Sequence, residues 1–366
     1  MSVCSNPAPF ENQSSAADWP TFITLAIEHG VLAQLASRLS SGPENFVPAE
    51  IDQQIRQYNR AQVVSGLKLT AELYRLIEMF REAGLETMLV KGPSVAVRAY
   101  ANGSARAYGD LDLLVRHRDI QRATELMTAA GYRPDISLDA IRADKIPGQY
   151  LFVHARSALI VEFHTERTMR YFPRRLPIER FFDARAEVMI DGRAVPTLSL
   201  EDELVLICIH GSKHVWDRLA MIADVAAYVA RQPQLDWKKV FQSAEEIGAT
   251  RMLHLGLVLA RDLLHTPIPQ NVSATINNDS AAQQLAEQVL TWLPSAGRSQ
   301  PGLLARVRFR VRMRGALPAG LSYLLRLTLS PTQEDWLSGD KKAQSGIMGS
   351  LRRPFRLAKK YGTDRK

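Results

Sequence analysis

The chain has 366 residues, of which 46% are apolar and 23% charged, with a formal net charge of +8. That composition excludes collagen-like, wholly disordered and disulfide-stapled proteins, and the length can bury a large core in about two domains. No apolar run reaches the ~18 residues of a membrane helix. The opening MSVCSNPAPFENQ lacks the basic stretch and apolar core of a secretory signal. With only Cys4 and Cys208, neither a disulfide framework nor a zinc site is expected, and a reducing cytoplasm fits.

In chain order, residues 1–18 read as a disordered tail. Apolar positions then recur at helical spacing over 19–38 (Phe22, Leu25, Ala26, Val31, Leu32, Leu35), and a longer helical pattern runs over 49–83 until Gly84. The pattern changes at 86–90, a short strand (ETMLV) that leads into Lys91-Gly92-Pro93-Ser94 and a helix over 93–100. Residues 109–115 (GDLDLLV) read as a strand and 119–130 as an amphipathic helix closed by Gly131. Residues 149–153 and 158–164 read as two further strands. The apolar positions at 188–190, Val195 and Leu198 follow without a clear assignment, and the chain is helical again over 200–264. The expected organisation is a tail (1–18), an N-terminal helical segment (19–84), an α/β core (85–198), a helical domain (199–297) and a basic C-terminal segment (298–366).

The basicity is local. Residues 298–366 carry 16 Lys/Arg against 4 Asp/Glu, a balance of +12 that leaves the rest of the chain at −4. Such a segment suits contact with a polyanion, or a solvated helical tail. Within it, Arg306, Arg308, Arg310, Arg312 and Arg314 alternate with apolar residues. Strict period two suggests a strand, but a helix is preferred because no partner strand lies nearby.

The chemistry concentrates at Asp110-Leu111-Asp112. Alternation on a strand turns both carboxylates to one face while Leu111 and Leu113 enter the core. Two such acids repel, so neutralising either should relieve strain, unless a divalent cation lies between them; oxygen ligands of this kind suit Mg²⁺ and substrate phosphates. Glu162 and His164 share a face of a later strand, which makes Glu162 a third acid. His164 orients a metal ligand, binds substrate, or is a satisfied histidine at the core edge. At the 91–94 turn a glycine lets backbone approach a phosphate, Lys91 supplies a point charge and Ser94 a hydroxyl. Arg106 precedes the aspartates, placed to meet a phosphate or a carboxylate. His210 and His214 share a helix face but lack the Glu of H-E-x-x-H, so zinc binding is not expected. Lys213 and His214 either reach the nucleotide or belong to packing in which Trp216 and Leu219 are buried and Arg218 pairs with Asp224. No P-loop, dinucleotide fingerprint or nucleophile elbow is present.

In order and spacing these residues resemble the polymerase-β-like nucleotidyltransferase superfamily. They are most similar to its uncharacterised bacterial nucleotidyltransferases, through LVKGPSVAVRAY, ARAYGDLDLLV, a helix ending in AAGY, VEFH, HGSKHVWDRLAMIADVAAYV and the tail PTQEDW…LRRPFRLAKKYG. The similarity runs from about Trp19 to Gly362. Pro93 stands where the superfamily has a second small residue, and Glu162 where Asp is commoner. The resemblance implies an α/β (α+β) fold, a small mixed sheet with the acids on its edge, among N-terminal helices and a C-terminal helical domain. It implies transfer of NMP from an NTP to a hydroxyl of an unknown acceptor, with two Mg²⁺ held by Asp110, Asp112 and Glu162. Lys91, Gly92, Ser94, Arg106, Lys213 and His214 would bind the nucleotide. The alternatives are phosphoryl transfer from the same site, or a non-catalytic binding module on the same scaffold.

Overall fold

The computed structural model describes residues 18–39, 47–100, 105–142, 148–167, 174–295, 301–315, 319–321 and 323–325. The tail at 1–17 and the PTQEDW and LRRPFRLAKKYG motifs lie outside them.

Three helices open the fold: α1 (Trp19–Glu28), α2 (Leu32–Leu39) and α3 (Ala49–Glu82). The single pattern over 19–38 is two helices because Gly30 takes φ +69° between them, a conformation that a helix interior does not allow. In α3, Leu69, Leu73, Leu76 and Phe80 are buried at helical spacing and form the stripe that covers one face of the sheet.

The α/β core follows: β1 (Thr87–Leu89), α4 (Pro93–Ala99), β2 (Asp110–Val115), α5 (Ile120–Ala129), β3 (Tyr132–Pro134), α6 (Leu138–Arg142), β4 (Gln149–His154), β5 (Ile160–His164), α7 (Ile178–Asp183), β6 (Ala186–Ile190) and β7 (Arg193–Thr197). Among the described residues these strands form one mixed sheet in the order β3-β4-β5-β2-β1-β7-β6. The β2–β5 and β1–β7 pairs are parallel and the rest antiparallel. The fold is therefore α+β with a mixed sheet, as the sequence implies. The acids, however, sit on the central strands β2 and β5, not at an edge. The reason is the pairing: β2 is flanked by β1 and β5, and β5 by β2 and β4, while the hairpin at 186–197 extends the sheet by two strands beyond β1. Its turn is Asp191-Gly192, both at positive φ (43° and 82°), the geometry that a two-residue hairpin loop demands.

The helical part comprises α8 (Leu200–Lys213), α9 (Leu219–Arg231), α10 (Trp237–Ile247), α11 (Thr250–Leu264), α12 (Gln270–Asn277), α13 (Ser280–Trp292) and α14 (Leu303–Arg312). Ser199 caps α8 by accepting from the Asp202 N–H, and Glu201, Asp202 and Glu203 fill its first turn, where the helix dipole favours acids. Leu204 to Ile209 are all buried, so α8 is central to its layer. One hydrophobic core joins Met88, Val90, Val95 and Leu114 from the sheet side to these helices. A second core packs Leu111, Leu113, Val161 and Phe163 against α3 and α5. No helix among the described residues is long and apolar enough to cross a membrane.

The arginine run is helical, as preferred. In α14, Arg306 and Arg310 fall four residues apart on one face, and Arg314 lies in the turn that follows the helix. Arg310 donates to the Lys213 carbonyl at 3.0 Å, and Arg314 stacks on Tyr323 at 3.8 Å. Arg308 and Arg312 are exposed. The five arginines therefore do not form one outward contact set.

Candidate active site

β2 and β5 run parallel with Asp112 opposite Glu162 and Leu114 opposite His164. Alternation then sends Asp110, Asp112, Glu162 and His164 to the face that α8 covers, and Leu111, Leu113, Val161 and Phe163 to the α3 side. Because both faces of β2 are covered, its last residues are apolar without a break.

Asp112 is fully buried. Its Oδ1 lies 2.7 Å from His164 Nε2 and its Oδ2 lies 3.0 Å from Lys91 Nζ. His164 Nε2 is also 3.4 Å from Glu162 Oε2, and Gln149 Nε2 donates to Glu162 Oε1. Among the described residues, Asp112, Glu162 and His164 each offer a ligand atom within 4.8 Å of the others. Asp110 shares the strand face one step away, outside that trio.

The electrostatics separate the two aspartates. Burial alone would raise Asp112, but Lys91 and His164 hold its carboxyl far below the usual range. Among the described residues no cation is bonded to Asp110 in this way. Burial, and then the negative charge of Asp112, push its pKa up. Against its own burial, His164 is pushed up by hydrogen bonds to Asp112 and Glu162. Neutralising the two aspartates is therefore not equivalent, contrary to the simple repulsion that the sequence suggests.

The 91–94 turn supports this cluster. The Val90 N–H donates to the Asp112 carbonyl at 2.9 Å, which holds Lys91 over β2. Gly92 has φ +77° and ψ −112°, and a Cβ there would lie 3.5 Å from the Asp110 carbonyl. Only glycine adopts this backbone without strain of about 1–3 kcal/mol. Ser94 is fully buried, and its Oγ has no hydrogen-bond partner among the described residues.

Arg106 does not meet the carboxylate cluster. Its Nε lies 2.9 and 3.0 Å from the two Asp224 oxygens, and its Nη1 donates to the Gly92 carbonyl at 3.3 Å. Tyr100 donates to the same aspartate at 2.8 Å. The Arg218–Asp224 pair suggested by the sequence is thus replaced by Arg106–Asp224. Arg218 precedes α9 in extended backbone, and six residues on a helix turn Asp224 to a different side.

Lys213, at the end of α8, acts electrostatically on Glu162. With Lys91, Arg106, His164 and His210 it lines a cavity of about 60 Å³ that apolar side chains, among them Val90, Leu114 and Leu206, also line. His214 lies just beyond, its ring 4.8 Å from that of His210. Trp216 is fully buried. The sequence reading left His164 undecided, gave Gln149 no role, offered Asp224 as the partner of Arg218, and took Arg310 only as one of the alternating arginines. His164 carried a signal, its two-residue spacing from Glu162; the other three depend on long-range register.

His210 and His214 are held neutral by burial and by the surrounding cations, His214 down to about 4. Below pH 6.5 the unfolded chain binds protons that the fold refuses, so stability falls as pH drops from 6.5 toward about 4. His164 acts in another window: its raised pKa stabilises below 6.5, and that contribution fades only at higher pH. Replacing both His210 and His214 with Asn should flatten the loss of urea midpoint between pH 7 and pH 5. An unchanged loss in the double variant would assign it to other groups.

A comparison with curated proteins returns no match. A family model described as an uncharacterised nucleotidyltransferase matches residues 15–265, well over half of the chain. The match spans the sheet, the 91–94 turn, both aspartates, Glu162, His164 and α8 to α11, and it ends before α12. The chain belongs to this family of uncharacterised nucleotidyltransferases.

Proposed function

We propose that the protein is a divalent-metal-dependent nucleotidyltransferase that moves NMP from an NTP to a hydroxyl of an acceptor. The observation that supports this most is the meeting of Asp112, Glu162 and His164 within 4.8 Å, on the covered face of the sheet and beside the Lys91 turn. Two carboxylates and an imidazole suit a divalent ion such as Mg²⁺ or Mn²⁺. Asp110 is the further ligand for a second ion, and Gln149 orients Glu162. When bound, such ions lower the pKa of the acceptor hydroxyl and neutralise the departing pyrophosphate.

The chain's own groups do the rest. Lys91, Lys213 and the buried Ser94 hydroxyl take phosphate oxygens, with Gly92 shaping the turn and His214 at the rim. Arg106 acts as a positioning residue, tying the Gly92 carbonyl to α9 through Asp224. α8 covers the site and excludes water. In the reaction the acceptor oxygen bonds to Pα, the Pα–O bond to pyrophosphate breaks, and the acceptor proton passes to solvent. A supply of NTP and Mg²⁺ fits a cytoplasmic setting.

A thermal-shift titration tests binding. An NTP together with Mg²⁺ should raise the melting temperature by several degrees, as about 2.7 kcal/mol is gained at a hundredfold excess over Kd. Each alone should do less. The absence of a metal-dependent shift with all four common NTPs would overturn the reading.

A further inference from the structure

We infer that Lys91 is a resident counter-ion of the carboxylate cluster, displaced from Asp112 when a divalent metal binds and received by the nucleotide's phosphates. The inference rests on the metal reading of the site proposed above.

Asp112 is 0% exposed, and Asp110 and Glu162 share its face of the sheet. A buried carboxylate without compensation is strongly unfavourable, and two like neighbours make it worse. The ammonium of Lys91 provides the compensation. It lies 3.0 Å from Asp112 Oδ2 and is attracted by Asp110 and Glu162 as well. It therefore stands where the fields of the three acids converge, the position that favours a cation. Asp112 Oδ1 is taken by His164. Oδ2 has no hydrogen-bond donor besides Lys91 among the described residues. A metal that uses this oxygen competes with the lysine for it.

Lys91 also has a way out. Its side chain is 21% exposed while Asp112 is 0%, and it lines the cavity shared with Lys213. Ser94, whose buried hydroxyl has no partner among the described residues, lies three residues along the same turn. An ammonium leaving Asp112 there meets a phosphate if a nucleotide is present and only water if it is not. Exchange of one cation for another keeps the buried charge balanced. Metal and nucleotide should therefore each strengthen the binding of the other.

The test is Mn²⁺ binding to the full chain, read by the electron paramagnetic resonance of free Mn²⁺. Without nucleotide the wild type should bind Mn²⁺ weakly. Lys91→Met should bind about tenfold more tightly or better, because a site occupied by lysine nine-tenths of the time loses that factor in apparent affinity. Lys91→Arg retains a cation and should stay at or below wild-type affinity. A second readout needs no variant: acetylation of Lys91 in the wild type, measured by mass spectrometry, should rise several-fold on adding Mn²⁺. Equal affinity of the wild type and Lys91→Met, or acetylation unchanged by Mn²⁺, overturns the exchange and leaves the metal reading standing. If neither the wild type nor either variant binds Mn²⁺, both are overturned.

Discussion

Asp112→Asn is expected to abolish transfer and to destabilise the protein together. The carboxylate is fully buried between Lys91 and His164. An amide in its place is a poor metal ligand and leaves two cations without their common partner. Metal assistance is worth several kcal/mol of barrier, so turnover should fall by about a thousandfold or more. Breaking a buried pair by removing one partner costs about 3–5 kcal/mol, a large share of a typical stability. Urea denaturation in the absence of metal should show the midpoint shift without any activity assay. A variant as stable as the wild type would mean that Lys91 and His164 do not depend on Asp112.

Asp110→Asn is expected to match that loss of turnover with the opposite effect on stability. Asp110 lies on the same face, but burial and Asp112 raise its pKa, so its charge opposes folding at neutral pH. The amide removes the repulsion at little cost in shape, and the midpoint in urea should hold or rise. The pair of variants thus separates a carboxylate that organises the metal-free site from one that serves the reaction alone. A fall in midpoint as large as that of Asp112→Asn would remove the distinction. Retention of full turnover would remove Asp110 from the site.

Much of this architecture is readable from local pattern. The strand period places Asp110 and Asp112 on one face and Leu111 and Leu113 on the other. The same rule aligns Glu162 with His164. The turn at Gly92 announces itself through a glycine between a strand and a helix. What local pattern does not contain is register and partner choice. That Glu162 lies opposite Asp112 depends on the parallel pairing of β2 and β5, 50 residues apart in sequence. Asp224 reaches Arg106 across a separation of 118 residues. The sheet reads as smaller than it is because β3, with three residues, and the partly exposed β6 and β7 show no clear apolar pattern, although Asp191-Gly192 between β6 and β7 is a hairpin signal in its own right. The residues 19–38 keep one apolar rhythm through two helices, because α1 and α2 pack on the same small core and only Gly30 marks the break. Lys91 reads as a phosphate ligand because lysines beside glycine turns serve phosphates; its bond to Asp112 follows from a buried charge that the sequence does not display.

The most direct test of nucleotidyl transfer follows the label. The protein is incubated with Mg²⁺ and a cell extract as the source of acceptor, with each NTP labelled either at the α-phosphorus or at the γ-phosphorus. Nucleotidyl transfer predicts that the α label enters an acceptor while the γ label leaves as pyrophosphate, and that Asp112→Asn abolishes both. Transfer of the γ label to the acceptor, with the α label left on NDP, would contradict it and identify phosphoryl transfer instead.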